Sequence, residues 1–164
     1  FHVARQGELV CLEAATGKIV WKKHLQDDFG YTMPTWGFTG APLVQGDVLY
    51  VTAGESGLAL KKADGSEIWK SEDEEAGYSA PYPFDKNGKS LMIFSNKRAY
   101  VCVEPDTGKV VWEYRWMTRY GVNAADPIVT GVTTSLSPAA TGREPSLPSG
   151  PVKAIPNVSG RTET

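Results

Sequence analysis

The stretch Arg98-Ala99-Tyr100-Val101-Cys102-Val103-Glu104-Pro105-Asp106-Thr107-Gly108-Lys109-Val110-Val111-Trp112 decides how the rest of the chain is read. Its first half alternates at period two and is rich in Val and Tyr, as a strand with one face on a core is. Thr107-Gly108-Lys109 interrupts the run with a glycine where a tight hairpin needs positive φ. A second apolar run then ends on Trp112. The same string stands upstream as Gly7-Glu8-Leu9-Val10-Cys11-Leu12-Glu13-Ala14-Ala15-Thr16-Gly17-Lys18-Ile19-Val20-Trp21. A looser copy, Gly57-Leu58-Ala59-Leu60-Lys61-Lys62-Ala63-Asp64-Gly65-Ser66-Glu67-Ile68-Trp69, lies between them. The three Trp are 48 and 43 residues apart. A second element alternates with the first: Ala41-Pro42-Leu43-Val44, Ala80-Pro81-Tyr82-Pro83 and Asp126-Pro127-Ile128-Val129, its prolines 39 and 46 residues apart. Two interleaved ladders of similar period mark an internal repeat.

Val48-Leu49-Tyr50-Val51 and Leu91-Met92-Ile93-Phe94 add two further strands, each preceded by a turn, Gln45-Gly46-Asp47 and Lys86-Asn87-Gly88-Lys89. Each unit therefore reads as four short antiparallel strands, in the middle unit over roughly 41–45, 47–53, 57–62 and 67–71. No segment shows a helical period. Four strands per unit of about 40 to 50 residues is the arithmetic of a β-propeller blade. The expected fold is all-β: a partial β-propeller of four-stranded antiparallel blades over residues 1–130, with a tail from 131 to 164. Residues 1–25 supply the last two strands of one blade, 40–71 and 78–116 two complete blades, and 123–131 the start of another. Rings close with about four to eight blades, so the chain reads as an arc whose partners include the remaining blades of a parent protein.

Composition narrows the function classes. Of 164 residues 41% are hydrophobic and 22% charged, and the net charge is −2. This reads as a soluble globular chain and argues against a basic nucleic-acid surface. No apolar run is long enough for a transmembrane helix. Two Cys and two His supply neither a disulfide scaffold nor a four-thiolate zinc site, and no metal site is expected. Cys11 and Cys102 hold equivalent positions two units apart, too far to be bridged, and read as core residues. Gly-x-Ser-x-Gly, His-Glu-x-x-His and phosphate-loop motifs are absent. Asn157-Val158-Ser159 matches a glycosylation sequon, a short and weak signal.

The string Ala-Thr-Gly-Lys-x-x-Trp between two strands, followed by a Pro-led strand, resembles the repeat of the pyrroloquinoline quinone (PQQ)-like β-propellers. The family pattern is matched at Thr16, Gly17 and Trp21, at Gly65 and Trp69, and at Thr107, Gly108 and Trp112, across residues 7 to about 130. The resemblance implies that Trp21, Trp69 and Trp112 dock between neighbouring blades, against the turns that carry Gly17, Gly65 and Gly108. Some members are dehydrogenases that hold PQQ and calcium, with a vicinal Cys-Cys pair, a metal-binding Glu and Asn, and a catalytic Asp. This chain has no Cys-Cys pair. Other members are non-catalytic, among them a lipoprotein of the machinery that assembles outer-membrane β-barrels. The resemblance therefore implies a non-catalytic platform for a protein or ligand, in a periplasmic or secreted protein, with no cofactor in this portion. The alternative is a portion of a quinoprotein oxidoreductase whose catalytic residues, PQQ and calcium sit in other blades.

The loops joining one unit to the next, 26–40, 72–79 and 117–124, are aromatic. Trp36, Tyr78 and Tyr120, with the nearby polar Asn123 and Asp126, are the candidate ligand-binding residues, since an aromatic rim with a few polar groups stacks a planar ligand or a sugar. No catalytic residue is expected among them. Asp73-Glu74-Glu75 reads as a solvated acidic loop, because three adjacent carboxylates do not by themselves build a calcium cage. Beyond Gly131 the chain has no aromatic and is dominated by Ser, Thr, Pro, Gly and Ala. Such a composition buries too little to offset ordering entropy and reads as disordered. The break falls in mid-unit, which also fits a slipped reading frame near residue 131.

Overall fold

A computed structural model describes residues 1–130 and 133–135; the frame slip near residue 131 and, apart from 133–135, the disordered tail expected over 131–164 lie outside them. Among the described residues there is no helix. The first sheet has three strands, β1 (His2–Val3), β2 (Glu8–Leu12) and β3 (Ile19–His24). That is one more than the sequence suggested, because two residues at the start of the chain, His2 and Val3, pair with Val10 and Leu9. The second sheet runs β4 (Leu43–Gln45), β5 (Val48–Val51), β6 (Leu58–Lys61), β7 (Glu67–Lys70). The third runs β8 (Tyr82–Lys86), β9 (Lys89–Ser95), β10 (Ala99–Val103), β11 (Val110–Arg115). A hairpin of β12 (Ile128–Thr130) and β13 (Thr133–Ser135) follows. Every pairing is antiparallel between consecutive strands, as an up-and-down blade requires.

The repeat is geometric as well as chemical. In each of the first three sheets the last hairpin shifts register at the same place, between Cys11 and Leu12, Ala59 and Leu60, and Cys102 and Val103. This bulge sits beside the pairs Cys11–Trp21, Ala59–Trp69 and Cys102–Trp112, and such a bulge sharpens the local twist. The hairpin glycines Gly17, Gly65 and Gly108 have φ of 72°, 70° and 70°, the left-handed region that favours glycine.

Alternation sends one set of side chains to each neighbour. Leu49, Val51, Leu58 and Leu60 of the second sheet pack with Leu9, Leu25 and Trp21 of the first. Tyr50, Ala59 and Trp69, on the other face, pack with Met92, Phe94, Val101 and Val103 of the third. A third cluster, Phe84, Leu91, Ile93, Tyr100 and Cys102, lies on the far face of the third sheet, with Trp112 partly buried against it. Both cysteines are free; Cys102 is fully buried and Cys11 half-buried.

Trp21 and Trp69 join neighbouring sheets in the same way. The Trp21 indole N–H donates to the Lys62 carbonyl at 3.0 Å, and the Trp69 indole N–H to the Pro105 carbonyl at 2.7 Å. Each acceptor lies three residues before the glycine of the next sheet's turn. A Cβ on Gly65 would meet the Trp21 ring at 3.0 Å, and one on Gly108 the Trp69 ring at 2.5 Å. Glycine thus allows both the turn and the approach of the indole. The Trp69 ring also meets Phe94 edge-on at 6.0 Å.

Candidate functional site

Antiparallel connectivity places the inter-sheet loops, β3–β4, β7–β8 and β11–β12, at one end of the arc. The short turns β1–β2, β5–β6 and β9–β10 lie at that same end. Five candidate residues lie in or next to these loops, and the structure gives them different work.

Trp36 stands on a clamped backbone. Its carbonyl accepts from Arg5 Nε at 3.1 Å, its N–H donates to the Tyr78 hydroxyl at 3.3 Å, and Phe38 N–H donates to the Arg5 carbonyl at 2.9 Å. Gly37 has φ 84°, and a Cβ there would lie 2.3 Å from Arg5 Cγ, so only glycine fits the crossing. The Trp36 side chain itself is left 59% exposed. Tyr78 is half-buried and spans two loops, because its N–H donates to the Asn123 carbonyl at 2.8 Å.

Asn123 is buried. Its amide nitrogen donates to the carbonyls of Asn96 and Trp116, both at 2.8 Å. Its carbonyl accepts from Ser95 Oγ, which in turn accepts from Ser79 Oγ at 2.7 Å. Asn123 Oδ1 is buried with no partner. Asp126 is exposed, and its carboxylate accepts from the Ala80 N–H at 3.1 Å. Tyr120 is 76% exposed, with the Arg119 guanidinium 5.5 Å from its ring centroid. The structure thus links Trp36, Tyr78 and Asn123 through hydrogen bonds, ties Asp126 to the start of the third sheet, and leaves Tyr120 on its own loop.

The acidic run is not merely solvated. Asp73 accepts from Thr32 N–H at 2.8 Å and from Thr32 Oγ1 at 2.7 Å. Glu75 accepts from Thr35 N–H at 3.0 Å and Thr35 Oγ1 at 2.7 Å, and pairs with Lys97 at 2.7 Å. Glu74 pairs with Arg98 at 3.5 Å. Burial pushes the Glu75 carboxyl up, but Lys97 and the Thr35 donors outweigh it and hold it at about 2. The run fastens the loop after the first sheet to the loop after the second, and that loop to the β9–β10 turn. Thr32 and Thr35 stand 41 and 40 residues before their acceptors, close to one repeat period, and that spacing was the available signal.

At the opposite end, between the second and third sheets, a groove of about 470 Å³ is lined by Val48, Tyr50, Lys89, Glu104 and Asp106. Lys89 and Glu104 are already paired across it at 2.6 Å. Among the described residues no three His, Cys, Asp or Glu side chains converge to hold a metal ion, and no adjacent Cys pair stands beside the aromatic loops. No helix among the described residues is long and apolar enough to cross a membrane.

A family model described as outer membrane protein assembly factor BamB matches residues 1–125. The chain belongs to that family. Among solved structures it is similar to the crystal structure of BamB from Moraxella catarrhalis, with 18% identity and a TM-score of 0.56. The match covers 77% of this chain and 39% of that one. At such identity the likeness shows the fold, a PQQ-like propeller, and the chain spans well under half the length of that relative. No curated protein matches.

Proposed function

We propose that the chain is part of a non-catalytic propeller platform that binds another protein through its aromatic loop end. The observation that carries this reading is the division of labour in those loops. Asp73, Glu75, Tyr78, Asn123 and Asp126 make hydrogen bonds within the fold, whereas the side chains of Trp36 and Tyr120 are largely exposed. Exposed Trp and Tyr on a rigid backbone lose little conformational entropy on binding and are the residue types that dominate protein interfaces. Membership of the outer membrane protein assembly factor family supports an exported setting, periplasmic or at the outer membrane, with a partner engaged in assembling outer-membrane proteins. No observation among the described residues favours the quinoprotein alternative.

The test is binding of the immobilised chain to purified components of an outer-membrane assembly machinery, measured for the parent, Trp36→Ala and Tyr120→Ala. At least one substitution should weaken binding by about thirtyfold or more, the effect of removing an interface hot spot, with circular dichroism unchanged. Equal binding by both variants and the parent would overturn the reading.

A further inference from the structure

Of the chain's four asparagines only Asn87 precedes a glycine. Asn87 and Gly88 are the central residues of the turn from β8 to β9, enclosed by the pair Lys86–Lys89, and have φ of 54° and 75°. Two successive positive φ values make the turn that closes a two-residue hairpin, and Asn-Gly is its favoured dipeptide. Asn87 is the only non-glycine residue with positive φ among the described residues. Both residues are exposed, a Cβ on Gly88 would meet nothing within 4 Å, and the Gly88 N–H has no acceptor among the described residues. The equivalent turn of the second sheet, Gln45-Gly46-Asp47, has described sheets on both sides. It is exposed all the same, and a Cβ on Gly46 would also meet nothing within 4 Å. The place of this turn in the blade, rather than an absent neighbour, therefore leaves it open to water.

We propose that Asn87-Gly88 is a modification site, deamidating spontaneously in the folded chain to aspartate and isoaspartate. The Gly88 nitrogen gives its proton to solvent and bonds to Asn87 Cγ. The bond from Cγ to the amide nitrogen breaks and ammonia leaves, closing a five-membered imide. Water then opens that ring. Attack at Cγ gives aspartate, and attack at the Asn87 main-chain carbonyl gives isoaspartate, whose chain runs through Cβ and Cγ. Glycine leaves the attacking nitrogen unshielded, since it carries no Cβ. The other places where this chemistry could start are closed. Asp64-Gly65 could form the same imide, but the buried Gly65 donates its N–H to the Lys61 carbonyl at 2.9 Å, and the Asp64 carboxylate accepts from the Ser66 N–H at 2.9 Å. Asn96 is buried with its amide donating to the Glu55 carbonyl at 2.9 Å, and the Lys97 N–H donates to the Glu75 carbonyl at 2.8 Å. Asn123 is buried and donates to two carbonyls. Either product places a carboxylate between Lys86 and Lys89, at the rim of the groove between the second and third sheets, where Lys89 already pairs with Glu104. Isoaspartate also adds a methylene to the main chain of a turn whose two residues fix the hairpin register. The site lies at the end opposite the aromatic loops and is independent of the partner-binding proposal.

The test holds the full chain in mildly alkaline buffer, with and without urea, and maps chymotryptic peptides by mass spectrometry. Isoaspartate is counted by methylation with protein isoaspartyl methyltransferase. In the native chain position 87 should convert from amide to acid at least about tenfold faster than 96 or 123, because one hydrogen bond that must break at a buried site already raises the barrier by that factor. Isoaspartate should form at 87 and not at 64. In urea positions 64, 96 and 123 should all react faster than in the native chain, since the contacts that protect them are gone. Asn87→Gln should remove the native-state signal with circular dichroism unchanged. An Asn87 that stays intact in native buffer but reacts in urea would show that the turn protects it and would overturn the proposal. Native modification at Asp64, Asn96 or Asn123 as fast as at Asn87 would overturn it equally.

Discussion

Replacing Trp69 by Ala tests the physical basis of the arc. Trp69 is 9% exposed, lies over Gly108, meets Phe94 edge-on and Tyr50 at 6.3 Å, and donates to the Pro105 carbonyl. A buried aromatic of this size removes about 150–250 Å² from water, which at about 25 cal/mol/Å² is about 4–6 kcal/mol. The Ala that remains retains part of that, leaving about 3–5 kcal/mol, the range for deleting a large aromatic from a core. Trp69→Phe separates the ring from its N–H. Tyr50 also donates to the Pro105 carbonyl, at 3.3 Å, so that oxygen keeps a partner and the expected cost falls to about 1–2 kcal/mol. Trp21 makes the same joint from a half-buried position, and Trp21→Ala should cost less than Trp69→Ala. The assay is urea unfolding followed by far-ultraviolet circular dichroism, with stability compared at constant slope. A Trp69→Ala loss below about 1 kcal/mol, or a larger loss at Trp21 than at Trp69, would refute the claim that these indoles hold the sheets together.

Gly17→Ala and Gly108→Ala should separate the cost of the turn from that of the close approach. Both impose a left-handed φ on a side chain, at about 1–2 kcal/mol, but only Gly108 has a ring at 2.5 Å from the new Cβ, so Gly108→Ala should be the more destabilising by at least about 1 kcal/mol; equal losses would contradict the packing. Burial pushes the Cys102 thiol up to about 12, so a thiol reagent at about pH 8 should modify Cys11 in the native chain and reach Cys102 only on unfolding; native modification of both at one rate would contradict the burial. Glu75 is held at about 2, below its ordinary 4.5. Its contribution is therefore complete above pH 4.5 and is lost as pH falls through 2. Glu75→Gln should be less stable than the parent at neutral pH, with the gap closing across that window; a gap that stays constant would refute the loop clamp.

The blades were legible because each is specified locally. Thr16-Gly17 and Trp21, or Thr107-Gly108 and Trp112, lie within one hairpin, so turn chemistry and strand period read together without knowledge of the rest of the chain. The extra strand His2–Val3 was missed because two residues carry no period. The loop end was only partly legible for a different reason. A polar side chain advertises hydrogen-bonding capacity, but whether that capacity is spent depends on what the neighbouring blade brings to it. Asn123 and Asp126 read as ligand-binding candidates and Glu75 as a solvated carboxylate, yet all three accept or donate across units. Several of the cross-blade partners recur at nearly one repeat, 40 residues for Thr35 and Glu75, 41 for Thr32 and Asp73, 41 for Trp21 and Lys62, whereas Asn123 reaches carbonyls 27 and 7 residues away. In an arc of blades, then, a polar loop residue with a complementary group one period away is best assigned to the scaffold. The side chains of Trp36 and Tyr120 form no such inter-blade pair among the described residues, and their exposure follows from that. Hydrogen bonding within the fold, often but not always one repeat away, therefore separates the groups that build the platform from those left to meet a partner.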